Sequence, residues 1–106
     1  MALVHIDLTE QLGDGQFVDI RDPRLLPWGV QKKLQSSLKD QSMDSQIAFA
    51  ESLTVELVKQ ANVSDEDGNP IQAPFTAESV ANVPAAVIEA VALKFAEMRK
   101  VTVEKN

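Results

Sequence analysis

The chain has 106 residues, 44% of them hydrophobic, and carries 16 acidic against 10 basic side chains for a formal net charge of −6 at pH 7. That length fits one domain, and a chain of about this size buries roughly two-thirds of its unfolded surface without needing a disulfide or a structural metal. The absence of cysteine excludes thiolate metal sites, thiol nucleophiles and disulfides. The scattered basic residues of an acidic chain argue against a phosphate-binding surface and hence against nucleic acid.

Met1 to Leu8 carries His5 and Asp7 inside its apolar run and has no basic leader, so no signal peptide is expected. The longest charge-free runs, Gly68 to Ala77 and Ser79 to Ile88, contain proline and polar residues and fall short of the ~20 apolar residues of a spanning helix. An intracellular protein without a membrane segment is the expectation. Its acidity is met equally well by an ordinary solvated surface or by a basic partner.

Leu3, Val4, Ile6 and Leu8 form one β-prone run and Phe17, Val18 and Ile20 a second, with Gly13-Asp14-Gly15 between them. This predicts a β-hairpin over residues 3–22, because glycine supplies the positive φ of a tight connection and Asp-Gly is a strong turn signal. Asp22-Pro23 ends the second strand, proline having no N–H for a ladder. From Pro27 the period changes: Val30, Leu34 and Leu38 predict a short one-faced helix, with Trp28 expected to be buried just before it. Lys39 to Met43 breaks that pattern.

Asp44 is then the expected N-cap of a helix running to about Ala61, with Ile47, Ala50, Leu53, Leu57, Val58 and Ala61 on its inner face and Phe49 and Val55 off it. Ser64 to Pro70 reads as a polar loop or tight hairpin, and Thr76 as the cap of a turn containing Glu78 and Val80. Pro84, suited to a first helical position, opens a helix to Lys100 with Val87, Ile88, Val91, Phe95 and Met98 on one face and Arg99 and Lys100 in its last turn. The expected fold is therefore mainly α with a small N-terminal β-hairpin (α+β), about three principal helices in one compact domain. Residues 27–100 form its helical body and 101–106 a flexible tail.

Few residues suggest chemistry. His5 is the sole histidine, which excludes a multi-histidine metal site, and a strand histidine without a motif is ordinarily structural. Asp65, Glu66, Asp67 and Asn69 beside Gly68 fail the spacing of a calcium loop, since Val63 and Pro74 would stand at its first and last ligand positions. No phosphate loop or Ser/His/Asp arrangement is present. Neither a catalytic residue, a metal nor a cofactor is expected, and the chain is read as a non-enzyme that binds other proteins. Glu51-Ser52-Leu53 followed by Thr54-Val55-Glu56-Leu57-Val58 resembles the prosthetic-group segment of acyl carrier proteins, which would make Ser52 an attachment site. Those proteins place the serine at the start of a helix, whereas the periodicity here puts Ser52 inside one.

The order of features carries a wider resemblance: a hairpin whose second strand reads Phe17-Val18-Asp19-Ile20-Arg21-Asp22-Pro23, then Leu26-Pro27-Trp28-Gly29, an amphipathic helix, Asp65-Glu66-Asp67-Gly68-Asn69-Pro70-Ile71, and Val83-Pro84 opening a helix. Over roughly residues 3–99 this layout resembles tail assembly chaperones of long-tailed, siphovirus-type bacteriophages. The resemblance implies a protein that coats the tape measure protein in the bacterial host cytoplasm, keeps it soluble, helps recruit tail tube subunits, and is not retained in the mature virion. A small tail tube or connector protein of the virion is the alternative within the same setting. Self-association is left open. Phe49, Leu53, Val87 and Val91 are the candidate partner-binding residues, since a protein lying along a helical partner would present an apolar stripe. The same four would equally pack the helix over 44–61 against the one over 84–100, the commoner use of such stripes.

Overall fold

The computed structural model describes residues 3–36, 38 and 42–104. Of the expected features, Lys39, Asp40 and Gln41 in the break after Leu38, the side chains of Arg99 and Lys100, and the last two residues of the tail lie outside the described residues. Among those described, the elements run β1 (Leu3–Asp7), α1 (Thr9–Leu12), β2 (Phe17–Arg21), a 3-10 turn (Pro23–Leu25), α2 (Trp28–Ser36), α3 (Met43–Leu57), β3 (Val58–Asn62), a second 3-10 turn (Ser79–Asn82) and α4 (Ala85–Glu104). The fold is α+β, as expected, with the sheet gathered from the N-terminal strands and one later strand.

β1 and β2 pair antiparallel with Val4 opposite Ile20 and Ile6 opposite Val18. Alternation then places Ile6, Leu8, Val18 and Ile20 in the core while His5, Asp7 and Asp19 fall on the outer face. The connection is longer than a tight turn. Asp7 Oδ1 accepts from the Thr9 amide at 2.9 Å and from the Thr9 hydroxyl at 2.6 Å, which starts the one-turn helix α1. Those bonds hold the Asp7 carboxyl below the usual carboxylate range. The chain then returns through Gly13 and Gly15, both at positive φ, and the Leu8 amide donates to the Gln16 carbonyl at 2.9 Å to resume the ladder.

Asp22-Pro23-Arg24 does more than stop β2. Asp22 Oδ1 accepts from the Arg24 amide at 2.9 Å, capping the 3-10 turn with Pro23 in its first position. The Arg24 guanidinium grips the same carboxylate through Nε at 3.0 Å and Nη2 at 2.8 Å. This grip, with the backbone cap, outweighs burial and lowers the Asp22 pKa, and it raises that of Arg24 in return.

The principal departure from expectation follows α3. That helix was expected to reach Ala61, but it ends at Leu57, and Val58 turns extended (φ −71°, ψ 121°) with its N–H donating to the Thr54 carbonyl. Residues Val58–Asn62 form β3 along the free edge of β2, with Phe17 opposite Asn62, Asp19 opposite Gln60 and Ile20 opposite Val58. Lys59 is the extra residue where the register shifts between Asp19 and Ile20. Val58 and Val63 are buried at the two ends of this stretch, so β-branched side chains are packed as well as they would be in a helix while the backbone of β2 gains a second partner. The Asn62 side chain locks the strand to the β1–β2 connection by donating to the Gly15 carbonyl at 2.6 Å.

Two further expectations are corrected. Ser42, not Asp44, caps α3, its Oγ accepting from the Ser45 amide at 3.2 Å, and Asp44 sits in the first turn. Trp28 is 70% exposed rather than buried. It lies about 120° around α2 from Leu34, the residue that faces the core, given roughly 100° per residue. The remaining landmarks hold. Ser64 to Pro70 is a small hairpin in which Asp65 Oδ1 accepts from the Asp67 and Asn69 amides. Thr76 and Ser79 cap each other reciprocally at 2.9 Å. α4 starts directly after Pro84, and a last expectation is corrected at its far end: the helix expected to stop at Lys100 before a flexible tail over 101–106 keeps a helical backbone to Glu104.

Asp22→Asn, which keeps a cap but removes the charge that Arg24 grips, is expected to destabilise the fold by roughly 0.5 kcal/mol, the value of an ion pair with an exposed partner. Because the folded pKa is depressed, the native advantage is complete above pH ~4, where the unfolded carboxyl also ionises. It is lost as the pH falls through the lower folded value, so denaturation midpoints of parent and variant should converge in acid. Gln60→Thr distinguishes strand from helix at an exposed position: in β3 it should leave stability unchanged or raise it by a few tenths of a kcal/mol, whereas a continued helix would lose about 0.5 kcal/mol.

Candidate functional site

The core is built where the inner sheet face meets α3 and α4. Leu53, Leu57, Val87 and Val91 are all at 1% exposure or less, sealed together with Val18, Ile20 and Val58. Three of the four expected partner-binding residues, Leu53, Val87 and Val91, are thus interior and join α3 to α4; they offer nothing to a partner. The fourth, Phe49, is half-buried, and its ring meets Phe95 edge-on at 5.9 Å between centroids. Phe49 lies only about 40° from Leu53 around the helix, so it belongs to the inner face from which sequence reasoning had displaced it. Ile47, assigned to that face, stands about 120° away and is 53% exposed.

The accessible apolar surface lies elsewhere. Leu25 and Trp28 project near the start of α2, Met43 and Ile47 from the first turns of α3, and Leu93 from the outer side of α4. Between α2, α3 and the second 3-10 turn runs an open groove of about 390 Å³. Leu34, Ala48, Val55 and Val80 form its apolar lining together with Ala77 and Ser52, while Lys33, Glu51 and Glu56 stand on its rim. Lys33 Nζ donates to Glu56 Oε2 at 2.8 Å across it, tying α2 to α3. Small side chains make the hollow: Ala48, Ser52 and Ala77 stand where larger residues would have closed it. The signal for it in the sequence was Val55, an apolar residue off the inner stripe of its helix.

Ser52 is half-buried in the middle of α3 and faces this groove. The exposed helix start that a prosthetic arm requires is not its setting. His5 sits on the outer sheet face, its Nδ1 2.6 Å from Asp19 Oδ1 and its ring 5.1 Å from that of Phe17, as cross-strand neighbours in the register of β1 and β2. In the loop over 65–70, Asp65 is engaged by its own backbone. Among the described residues no group of three His, Asp or Glu side chains is placed to hold a metal ion, and no helix is long and apolar enough to cross a membrane. The arrangement offers apolar side chains and an apolar hollow on a chain where acidic groups outnumber basic ones.

The burial pattern separates contact residues from folding residues. Val91→Asp puts an unpaired carboxylate into the core and should abolish the cooperative melt followed by circular dichroism. Ile47→Asp, at an exposed site, should stay within about 0.5 kcal/mol of the parent.

Compared with known protein families, with characterised proteins and with solved structures, the chain matches none.

Proposed function

We propose that the protein works by binding another protein, as a phage tail assembly chaperone that holds the tape measure protein soluble in the cytoplasm of the bacterial host and helps recruit tail tube subunits. The observation that carries the reading is the order of features along the chain, from the strand ending Arg21-Asp22-Pro23 through the Asp65 to Ile71 turn to the helix after Pro84. Its support from the fold is that Leu25, Trp28, Met43, Ile47 and Leu93 are large apolar side chains left exposed on a domain of net charge −6. A chaperone of an aggregation-prone helical client needs apolar contact area and enough charge to keep the complex in solution. No bond-making step belongs to this function.

Co-expression with the tape measure protein of the same phage is the test. The client should move from the insoluble to the soluble fraction and co-purify with this chain, and Ile47→Asp should weaken the complex by roughly tenfold or more. No complex, or recovery of this chain from purified virions, would replace the chaperone by the small tube or connector protein of the finished particle.

A further inference from the structure

The groove between α2 and α3 has a charge pattern as definite as its apolar lining. α3 carries Asp44, Glu51 and Glu56 and no basic residue. Asp44 stands on the same side of the helix as Ala48 and Val55, about 40° from the first and about 20° from the second at roughly 100° per residue, so the hollow's line along α3 ends in an acid. Glu51 and Glu56 flank it, and the one cation of the lining among the described residues, Lys33, is already engaged by Glu56. On the flank beyond Glu51, one turn earlier, Ile47 extends the apolar surface outside the hollow.

We infer that this groove is a docking site for an amphipathic α-helix of a partner protein, one that sets small or branched apolar side chains into the hollow and lysine or arginine against Asp44 and Glu51. An open trough between packed helices takes side chains presented at i, i+3, i+4 and i+7, and Ile47 gives such a helix contact beyond the trough. The rim acids select against helices with acidic flanks, which like-charge repulsion would reject. The inference rests on the protein-binding reading above and adds to it the surface and the class of segment bound.

The probe is a fluorescent synthetic peptide of about 18 residues, ~27 Å long as a helix, built from leucine on one face and lysine on the others, with a leucine–glutamate peptide of the same pattern beside it. The leucine–lysine peptide should bind saturably, and the leucine–glutamate peptide at least roughly tenfold more weakly. Ala48→Trp, which fills the hollow, and Glu51→Lys, which reverses the rim at an exposed position, should each cost roughly tenfold or more in affinity. Glu10→Lys, the same charge reversal placed on α1 and outside the groove, should change nothing. Glu51→Lys keeps the test decisive if Ala48→Trp does not fold. Absence of saturable binding, equal binding of both peptides, or a folded groove variant that binds like the parent overturns the inference. So does a dimer of this chain that Ala48→Trp abolishes, since the groove would then hold a second copy. Groove-dependent peptide binding without rescue of the tape measure protein would leave the docking site standing and remove the chaperone. Rescue undiminished by Ala48→Trp would do the reverse.

Discussion

Strand β2 must be satisfied on three sides at once, and much of the fold follows from that constraint. Val18 and Ile20 are fully buried on one face, so the backbone of Phe17–Arg21 runs beside the core, where an unpaired N–H or C=O is costly. β1 covers one edge from directly upstream. The other edge is covered by β3, which the chain reaches only after building α2 and α3. α3 therefore stops at Leu57, although nothing in its local sequence forbids another turn. Its last residues fix where Val58 meets Ile20, and the inner faces of α3 and α4 close over the sheet.

Packing of that kind leaves a particular surface behind. The helix faces that are used are narrow: Leu34 alone is fully buried on α2, and Leu53, Thr54 and Leu57 on α3. Thr54 meets its own needs by donating its hydroxyl to the Ala50 carbonyl at 2.9 Å. Apolar residues beyond those stripes, Trp28, Met43 and Ile47, are left exposed among the described residues, and the small side chains between α2 and α3 leave a trough. The acids then decide what such a surface accepts, because the apolar contact is non-directional while the charge pattern is not.

The features legible in the sequence were those whose signal is local. Asp22-Pro23 as a stop, Pro84 as a start, Thr76 as a cap and the Asp65–Asn69 turn each act through hydrogen bonds within a few residues, and each stands where it was expected. β3 was not legible, because Val58 and Ala61 suit a helix face as well as a strand and only the distant edge of β2 decides between them. The inner face of α3 was misjudged by one step for the same reason: Phe49 and Ile47 compete for it, and α4, through Phe95, selects Phe49. Trp28 was expected inside on size alone, while its angular position on a nine-residue helix put it out. The candidate site suffered most, since stripes rich in large apolar residues mark cores. The trough is marked instead by alanine and serine, whose presence on a helix face says little until the neighbouring helix is in place.

The route by which β2 gains its second edge has a consequence for how the chain emerges from the ribosome. Asn62 and Gly15, joined by a side-chain hydrogen bond, are 47 residues apart, and translation proceeds at roughly 5–20 residues per second. For that interval β1 and β2 can form only a two-stranded ribbon, with the far edge of β2 bare and Val18 and Ile20 uncovered. Such an edge is a template for any other strand. The outer face it then shows, with His5, Asp7, Asp19 and Arg21 around Phe17, is charged on both strands. Charge placed there works before the fold is complete, discouraging one nascent chain from completing the sheet of another.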